Sequence, residues 1–341
     1  MIYLAFIHKL AKLTSVISRY KNMLYSEIKE PVSTHLKNMD TLIAQHCKTD
    51  TETLKNMCDY MLGSQGKRIR PTLVLLTAQS FQQKVTKEHE KLAAIIELIH
   101  TATLLHDDVL DKSEKRRGKT THHTIWGNHQ AILLGDYIYA LAFKIIAELQ
   151  HPETTKILAQ ASCKIVESEL LQSSQTTNIQ LSKDDYFTII QGKTATLFSA
   201  AMETSALISQ TDSQVQWKKA GFCLGMAYQI IDDCLDYNLH NKHLDKNNGD
   251  DWFSSTPTLP IIQAYRYASP EEKTSLKNFF KNPRQESFQD LCHKPYLQKG
   301  LDDSQAIASE LLEEFVTLMK SVDQDTTSLI QLASFLQQRK F

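Results

Sequence analysis

The sequence predicts an all-α fold, a large helical bundle. Three observations carry the prediction. The 341 residues include only 10 glycines and 8 prolines, few breakers for so long a chain. Apolar residues recur at spacings of three and four, the period of a helix with one buried face. No segment sustains the alternate-residue pattern of a half-buried strand, so essentially no sheet is expected.

Each element follows from local pattern. Residues 1–19 read as an amphipathic extension, with Ile2, Phe6, Leu10, Leu13 and Ile17 on one stripe and Lys9 and Lys12 off it. The basic residues follow the apolar start, the reverse of a signal peptide, so the segment reads as a helix packed on the body or a partner subunit. Peripheral membrane contact is the alternative. Residues 20–341 form the main domain, without repeats or a linker. Residues 20–62 form two helices divided by the polar stretch near Lys48–Thr53. The basic turn Gly66–Pro71 precedes an apolar helix, Thr72–Phe81. Glu88–Asp111 is a long helix, and Lys112–Asn128 a basic, polar loop or helix start. Gln130–Gln150 and Lys156–Gln172 are helical, and Lys183–Ser209 is another amphipathic helix. Val215–Tyr237 is the next. Asn238–Pro257 is the longest irregular stretch, and a loop of that length in a compact domain reads as functional. Helices resume over Thr258–Ala268 and from Ser304 onward, with Lys281–Gln298 ambiguous.

Net charge is −1, which offers no basic field for nucleic acid. The six cysteines form no CxxC pair, and with no export signal they read as free thiols in a reducing, cytoplasmic setting. No apolar run reaches the length of a membrane span.

Two acidic clusters of identical form carry the chemistry. Asp107-Asp108-Val109-Leu110-Asp111 and Asp232-Asp233-Cys234-Leu235-Asp236 each close an apolar, helical run. On a helix the first and last carboxylates of each share a face. Six aspartates on otherwise apolar segments would suffer desolvation and mutual repulsion. Divalent cations shared with a phosphate-bearing substrate relieve both. Oxygen ligands without His or Cys at ligand spacing favour Mg²⁺ over zinc, and Mg²⁺ takes few carboxylates plus phosphate oxygens and water. The implied ligand is a polyphosphate ester.

Basic groups supply a second kind of phosphate site, free of metal. Gly66-Lys67-Arg68-Ile69-Arg70-Pro71 puts three cations in four residues, Arg116-Arg117-Gly118-Lys119 follows the first cluster, and Lys193 stands alone on an amphipathic helix.

These motifs, together with Glu97 to Asp111, Trp126-Gly127-Asn128, Gly135-Asp136, Lys193-Thr194 and Gly225 to Tyr237, resemble the trans-polyprenyl diphosphate synthases over residues 20–341. The long-chain members, such as octaprenyl diphosphate synthase, are most similar. The resemblance implies a bundle of the isoprenoid synthase type with a central active-site cavity. It implies head-to-tail condensation of isopentenyl diphosphate with an allylic diphosphate, farnesyl or geranyl, to a long all-trans product serving a quinone such as ubiquinone. It also implies a homodimer. Residue by residue, it places Mg²⁺ on Asp107, Asp108, Asp111, Asp232, Asp233 and Asp236. Arg116 assists the same allylic diphosphate. Gly66, Lys67, Arg70, His100 and Arg117 bind the diphosphate of isopentenyl diphosphate. Lys193, Thr194 and Gln229 line the reaction centre, and Lys246 closes over the allylic diphosphate. No nucleophilic Ser, Cys or His is expected, and the departed diphosphate is the expected proton acceptor.

The same resemblance makes the helix before the first cluster the wall of a product tunnel. Ala102 lies about 7.5 Å before Asp107 along the helix axis, with Thr103 one residue nearer. Short-chain members carry aromatic residues there, so two small side chains imply a long product. Ile99, Phe143 and Ile146 are candidates for the tunnel floor.

The chain departs from the family in places. Gln65 stands for a usual Gly, Thr120 for a frequent Pro and Asp245 for a Gly. Ser254-Ser255-Thr256 replaces the usual Glu-Gly-Lys, whose lysine touches diphosphate. An alternative reading is therefore a catalytically weak regulatory subunit of a heteromeric synthase, although such partners lose aspartates that this chain keeps. A terpene cyclase would not keep Gly66–Pro71 or a second DDxxD.

Overall fold

The computed structural model describes residues 23–64, 66–81, 84–210, 214–238 and 249–339. The extension at residues 1–19, Gln65, Asp245 and Lys246 lie outside the described residues. The fold is all-α apart from one small hairpin among them.

The chain divides into two compact units. One comprises Lys29–Ser162 and Ala200–Gln214; the other comprises Cys163–Ser199, Val215–Phe341 and the segment before Lys29.

In the Lys29 unit the long helix Lys87–Leu110 packs along Asn128–Leu149 and against Ile69–Ser80 and Ser33–His46. Thr86 and His89 close its N-terminus as a reciprocal cap. Ile69–Ser80 buries almost every side chain, from Leu73 to Leu76 at 1 % exposure or less, which removes any polar face from its sequence. It starts earlier than Thr72, because Pro71 is tolerated within a first turn. Only residues up to Arg68 remain as the turn.

The expectation of essentially no sheet holds among the described residues, with one small exception. Lys115–Arg116 and Lys119–Thr120 pair as an antiparallel hairpin, too short for alternation to reveal it. The two residues between them, Arg117 and Gly118, both take positive φ, +53° and +73°. That is the signature of a type I′ turn, whose twist matches the flanking strands. The hairpin is tied to helix Glu52–Leu62, where the Tyr60 hydroxyl donates to the Thr120 carbonyl (2.8 Å) and Lys119 donates to Gly63 (2.6 Å).

The expected single helix over Lys183–Ser209 is interrupted. Lys183–Ile190 and Thr196–Ile208 are separated by a π-type turn, Gln191–Ala195. Helix Leu259–Tyr267 lies so close to Pro295–Lys320 that a Cβ on Gly300 would sit 2.4 Å from the Pro260 carbonyl oxygen. The ambiguous stretch 281–298 resolves into the end of helix Pro270–Lys281, the helix Gln285–Cys292 and the start of Pro295–Lys320. A second core forms there around Trp252, Phe280 and Phe288. The irregular stretch after Tyr237 contains a short helix, Asp250–Phe253.

Candidate active site

Both acidic clusters occupy the same place on their helices. Asp107 and Asp108 lie in the last turn of Lys87–Leu110, with Asp111 as its C-cap. Asp232 and Asp233 lie in the last turn of Gln214–Leu235, with Asp236 just beyond. A helix C-terminus carries partial negative charge, so carboxylates are disfavoured there unless cations attend them.

The first cluster divides its labour. Asp108 is buried and accepts Nε–H of Arg116 at 2.6 Å. Arg116, expected to assist the allylic diphosphate, is thus engaged with an aspartate. Asp107 is part-buried and Asp111 exposed, and their four-residue spacing puts both on one face.

The basic groups gather in the same unit. Arg68 adopts a positive φ of 58° and turns inward, pairing with Asp40 at 2.9 Å and with the buried Glu97. That leaves Lys67 exposed before the helix and Arg70 in its first turn, at its positive pole. The Arg70 guanidinium donates to His100 Nε2 at 3.0 Å. The accepting Nε2 puts the imidazole proton on Nδ1. Burial, and then the charges of Arg70, Arg117, Arg116 and Arg68, hold His100 well below the usual histidine range, so it stays neutral. The Arg117 guanidinium lies against Gly66, where a Cβ would come within 2.2 Å of Cζ, and donates to the Ser64 carbonyl at 3.2 Å. Beside the hairpin is a cavity of about 70 Å³ whose lining includes Tyr60, Leu105, Asp108, Arg116 and Arg117.

The second cluster gives its three aspartates three surroundings. Asp232 has a side chain 33 % exposed and pairs with Arg339 at 2.5 Å. Asp233 is buried, accepting the Tyr186 hydroxyl on Oδ2 (2.6 Å) and the Gln229 amide on Oδ1 (2.7 Å). Burial, with Asp251 nearby, pushes Asp233 up to about 8. Asp236 accepts the backbone N–H groups of Gly249 and Asp250 on Oδ1 (3.1 Å each) and of Asp251 on Oδ2 (3.0 Å). It thereby caps the short helix Asp250–Phe253. By sequence the six aspartates look alike; the structure separates them.

Lys193 and Thr194 both sit on the π-type turn. Lys193 pairs with Glu169 (2.6 Å) and donates to Gln172 (2.7 Å). Thr194 donates to Gln229 Oε1 at 2.6 Å. After the short helix Asp250–Phe253, Ser255 takes a positive φ of 54°, and its hydroxyl donates to the Phe280 carbonyl at 2.6 Å. The hydroxyls of Ser254 and Thr256 lie 2.8 Å apart.

Of the chain-length candidates, Ala102 is fully buried, as are Ile99 and, nearly so, Ile146. Thr103 is part-buried, its hydroxyl bonded to the His100 carbonyl at 2.7 Å. Phe143 is 43 % exposed and stacks on Tyr139, with ring centroids 6.3 Å apart. Tyr186 and Arg339 escape sequence reasoning, since no local pattern marks either.

No three carboxylate, imidazole or thiol groups among the described residues converge on one point. Asp107 and Asp111, four residues apart and not buried, offer oxygen donors of the kind a hard divalent cation takes together with phosphate oxygens and water.

A family model described as Polyprenyl synthetase matches residues 51–294. The octaprenyl diphosphate synthase of Escherichia coli K12 is 34 % identical over 257 residues, covering 75 % of this chain and 79 % of that protein. The geranyl-diphosphate-specific all-trans-nonaprenyl-diphosphate synthase of Rhodobacter capsulatus is 35 % identical over 252 residues, covering 74 % and 78 %. A crystal structure of a polyprenyl synthase from Caulobacter crescentus, complexed with calcium and isoprenyl diphosphate, shares the all-α isoprenoid synthase fold with a TM-score of 0.87 and 30 % identity, covering 94 % of this chain and 99 % of that one.

Proposed function

The chain belongs to the polyprenyl synthetase family and is a prenyltransferase, and we propose that it condenses isopentenyl diphosphate with an allylic diphosphate, head to tail, into a long all-trans polyprenyl diphosphate. One observation supports this reading most directly. His100, Asp107 and Asp111 fall on one face of the helix that runs through Lys87–Leu110 to its cap. His100 and Asp107 are about 10 Å apart along its axis. His100 marks the metal-free, arginine-lined group, and the aspartates mark the metal-suited one. A single helix thus presents two kinds of diphosphate site side by side.

In this reading Lys67, Arg70, Arg117 and the neutral His100 hold the diphosphate of isopentenyl diphosphate, with Gly66 leaving room for the Arg117 guanidinium. Arg70 and Arg117 can each offer two parallel N–H groups to phosphate oxygens. Asp232 is the metal-suited carboxylate of the second cluster, and Asp107 and Asp111, the outward carboxylates of the first, hold Mg²⁺ for the allylic diphosphate. When bound, Mg²⁺ neutralises charge developing on the departing diphosphate. Arg116 holds Asp108 in place beside them. Lys193, Thr194, Gln229 and Lys246 serve the reaction centre, and apolar helix faces keep water from the cationic carbon. Ala102 and Thr103 leave the path for the growing chain open.

The wider reading is a homodimer residing in the cytoplasm, making a quinone side chain. Exposed Ile132, Leu133 and Phe143 on Asn128–Leu149 support an association face. No helix among the described residues is long and apolar enough to cross a membrane, so delivery of an apolar product calls for peripheral membrane contact.

The test incubates purified protein with isopentenyl diphosphate, farnesyl diphosphate and Mg²⁺ and sizes the products by chromatography. Products longer than geranylgeranyl are expected from this chain alone. Elongation only after addition of a second subunit would overturn the single-chain reading.

A further inference from the structure

The second aspartate cluster holds a polar chain that the metal reading does not use. Both oxygens of Asp233 are occupied, Oδ2 by the Tyr186 hydroxyl at 2.6 Å and Oδ1 by the Gln229 amide at 2.7 Å. Asp233 is 4 % exposed and Tyr186 2 %. The Gln229 carboxamide is fixed at both ends, because its Oε1 accepts the Thr194 hydroxyl at 2.6 Å. An amide pinned this way cannot turn over without breaking two hydrogen bonds. Thr194 in turn commits its only proton to Gln229, and so presents oxygen lone pairs to any group it meets. A lone pair suits developing positive charge on carbon and would repel an oxyanion.

Asp232, by contrast, is partly exposed and faces a cation, Arg339. Adjacent residues on a helix point about 100° apart. One of the two aspartates can therefore face a ligand while its neighbour faces the interior.

We infer that Asp233 and Tyr186 are positioning residues that act through Gln229 on Thr194, and that Asp232 alone of this adjacent pair meets the metal. The inference rests on the prenyl-transfer reading above. It assigns Tyr186 a part in the reaction although it never touches substrate. Removing its hydroxyl leaves Asp233 one buried hydrogen bond short, so the carboxylate that anchors the Gln229 amide is no longer held at both oxygens.

The experiment uses the full chain and four proteins: wild type, Asp232→Asn, Asp233→Asn and Tyr186→Phe. Calorimetry measures Mg²⁺ affinity in the presence of inorganic pyrophosphate, which requires no turnover. Steady-state kinetics then separate kcat from the KM values, and metal-free melting curves report folding. Asp232→Asn should weaken Mg²⁺ binding by about tenfold or more. Asp233→Asn and Tyr186→Phe should bind Mg²⁺ within about twofold of wild type, while kcat falls by roughly tenfold to a hundredfold with little change in KM. A loss of Mg²⁺ affinity in Asp233→Asn equal to that in Asp232→Asn would overturn the inference. So would unchanged kcat in Tyr186→Phe. Wild-type protein that binds Mg²⁺ and pyrophosphate yet makes no prenyl product would refute the prenyl-transfer reading instead, and the binding comparison would still decide between the two aspartates.

Discussion

The Arg339 guanidinium lies 2.5 Å from the carboxylate of Asp232, 107 residues earlier, and over the Tyr228 ring at 5.4 Å. A protein cation thus attends the one aspartate of its cluster that is turned outward. In the prenyl-transfer reading a metal must share or displace it. Arg339→Gln should therefore lower the half-saturating Mg²⁺ concentration, by roughly threefold to tenfold if the pair costs about 1 kcal/mol to break. Mg²⁺ titration of turnover checks this; a higher requirement would mean that Arg339 helps to bind the ligand.

Gly66 is the cradle of Arg117. A methyl group there meets the far end of a flexible side chain and leaves the backbone undisturbed. Gly66→Ala should fold with a nearly unchanged melting temperature while KM for isopentenyl diphosphate rises about tenfold, the cost of one misplaced charge-assisted contact. A fall in melting temperature with KM unchanged would place the importance of Gly66 in folding.

Thr103 is part-buried, whereas Ala102 is fully buried and would be overpacked by a ring. Thr103→Phe should therefore shorten the product with modest loss of rate. Chromatography of the chain lengths checks this, and an unchanged distribution would remove Thr103 from the path of the product.

By the resemblance drawn from the sequence, Thr256 stands where the family usually carries a lysine. Thr256→Lys should raise turnover or tighten binding of the allylic diphosphate, read from kcat and KM side by side. No change in either would mean that the other cations suffice.

His89, His100 and His122 are all held below the ordinary histidine value of 6.5, each chiefly by burial. The unfolded chain then binds more protons than the folded one below about pH 6.5. Their contribution is complete above that pH and is lost as pH falls toward the folded values, by up to about 1.4 kcal/mol per histidine per pH unit. Urea unfolding at about pH 7.5 and pH 5.5 should show the loss. His122→Phe keeps a ring against Trp126 and should flatten the slope.

Short-range spacing made much of this legible. The two DDxxD clusters, the Gly66–Pro71 turn and Arg116-Arg117 all announce themselves within six residues, so one sequence suffices. The separation of roles inside each cluster was not legible. Arg68 and Arg70 look equivalent until Asp40 and Glu97 claim the first. Asp233 looks like Asp232 until Tyr186, 47 residues earlier, reaches it. Such pairings exist only in the folded chain. The hairpin escaped notice because its strands have two residues each, below the length at which alternation shows. Phe143, a candidate for the tunnel floor, is 43 % exposed, and residue type alone could not have placed it there.

The π-type turn at Gln191–Ala195 carries a consequence for how this chain tolerates length changes. A single wide turn holds one residue more than an α-helical path would use. Deleting Gly192 from it would restore an unbroken helix with no lost charge. It would also swing the helix on its C-terminal side by about 100° and carry Thr194 away from Gln229. A deletion that would pass unnoticed in a surface loop should here cost both stability and turnover, because the buried face of Thr196–Ile208, with Phe198 and Met202, turns out of register with the core. By the same token, a straight helix from another protein cannot be grafted over Lys183–Ile208 unless the extra residue travels with it.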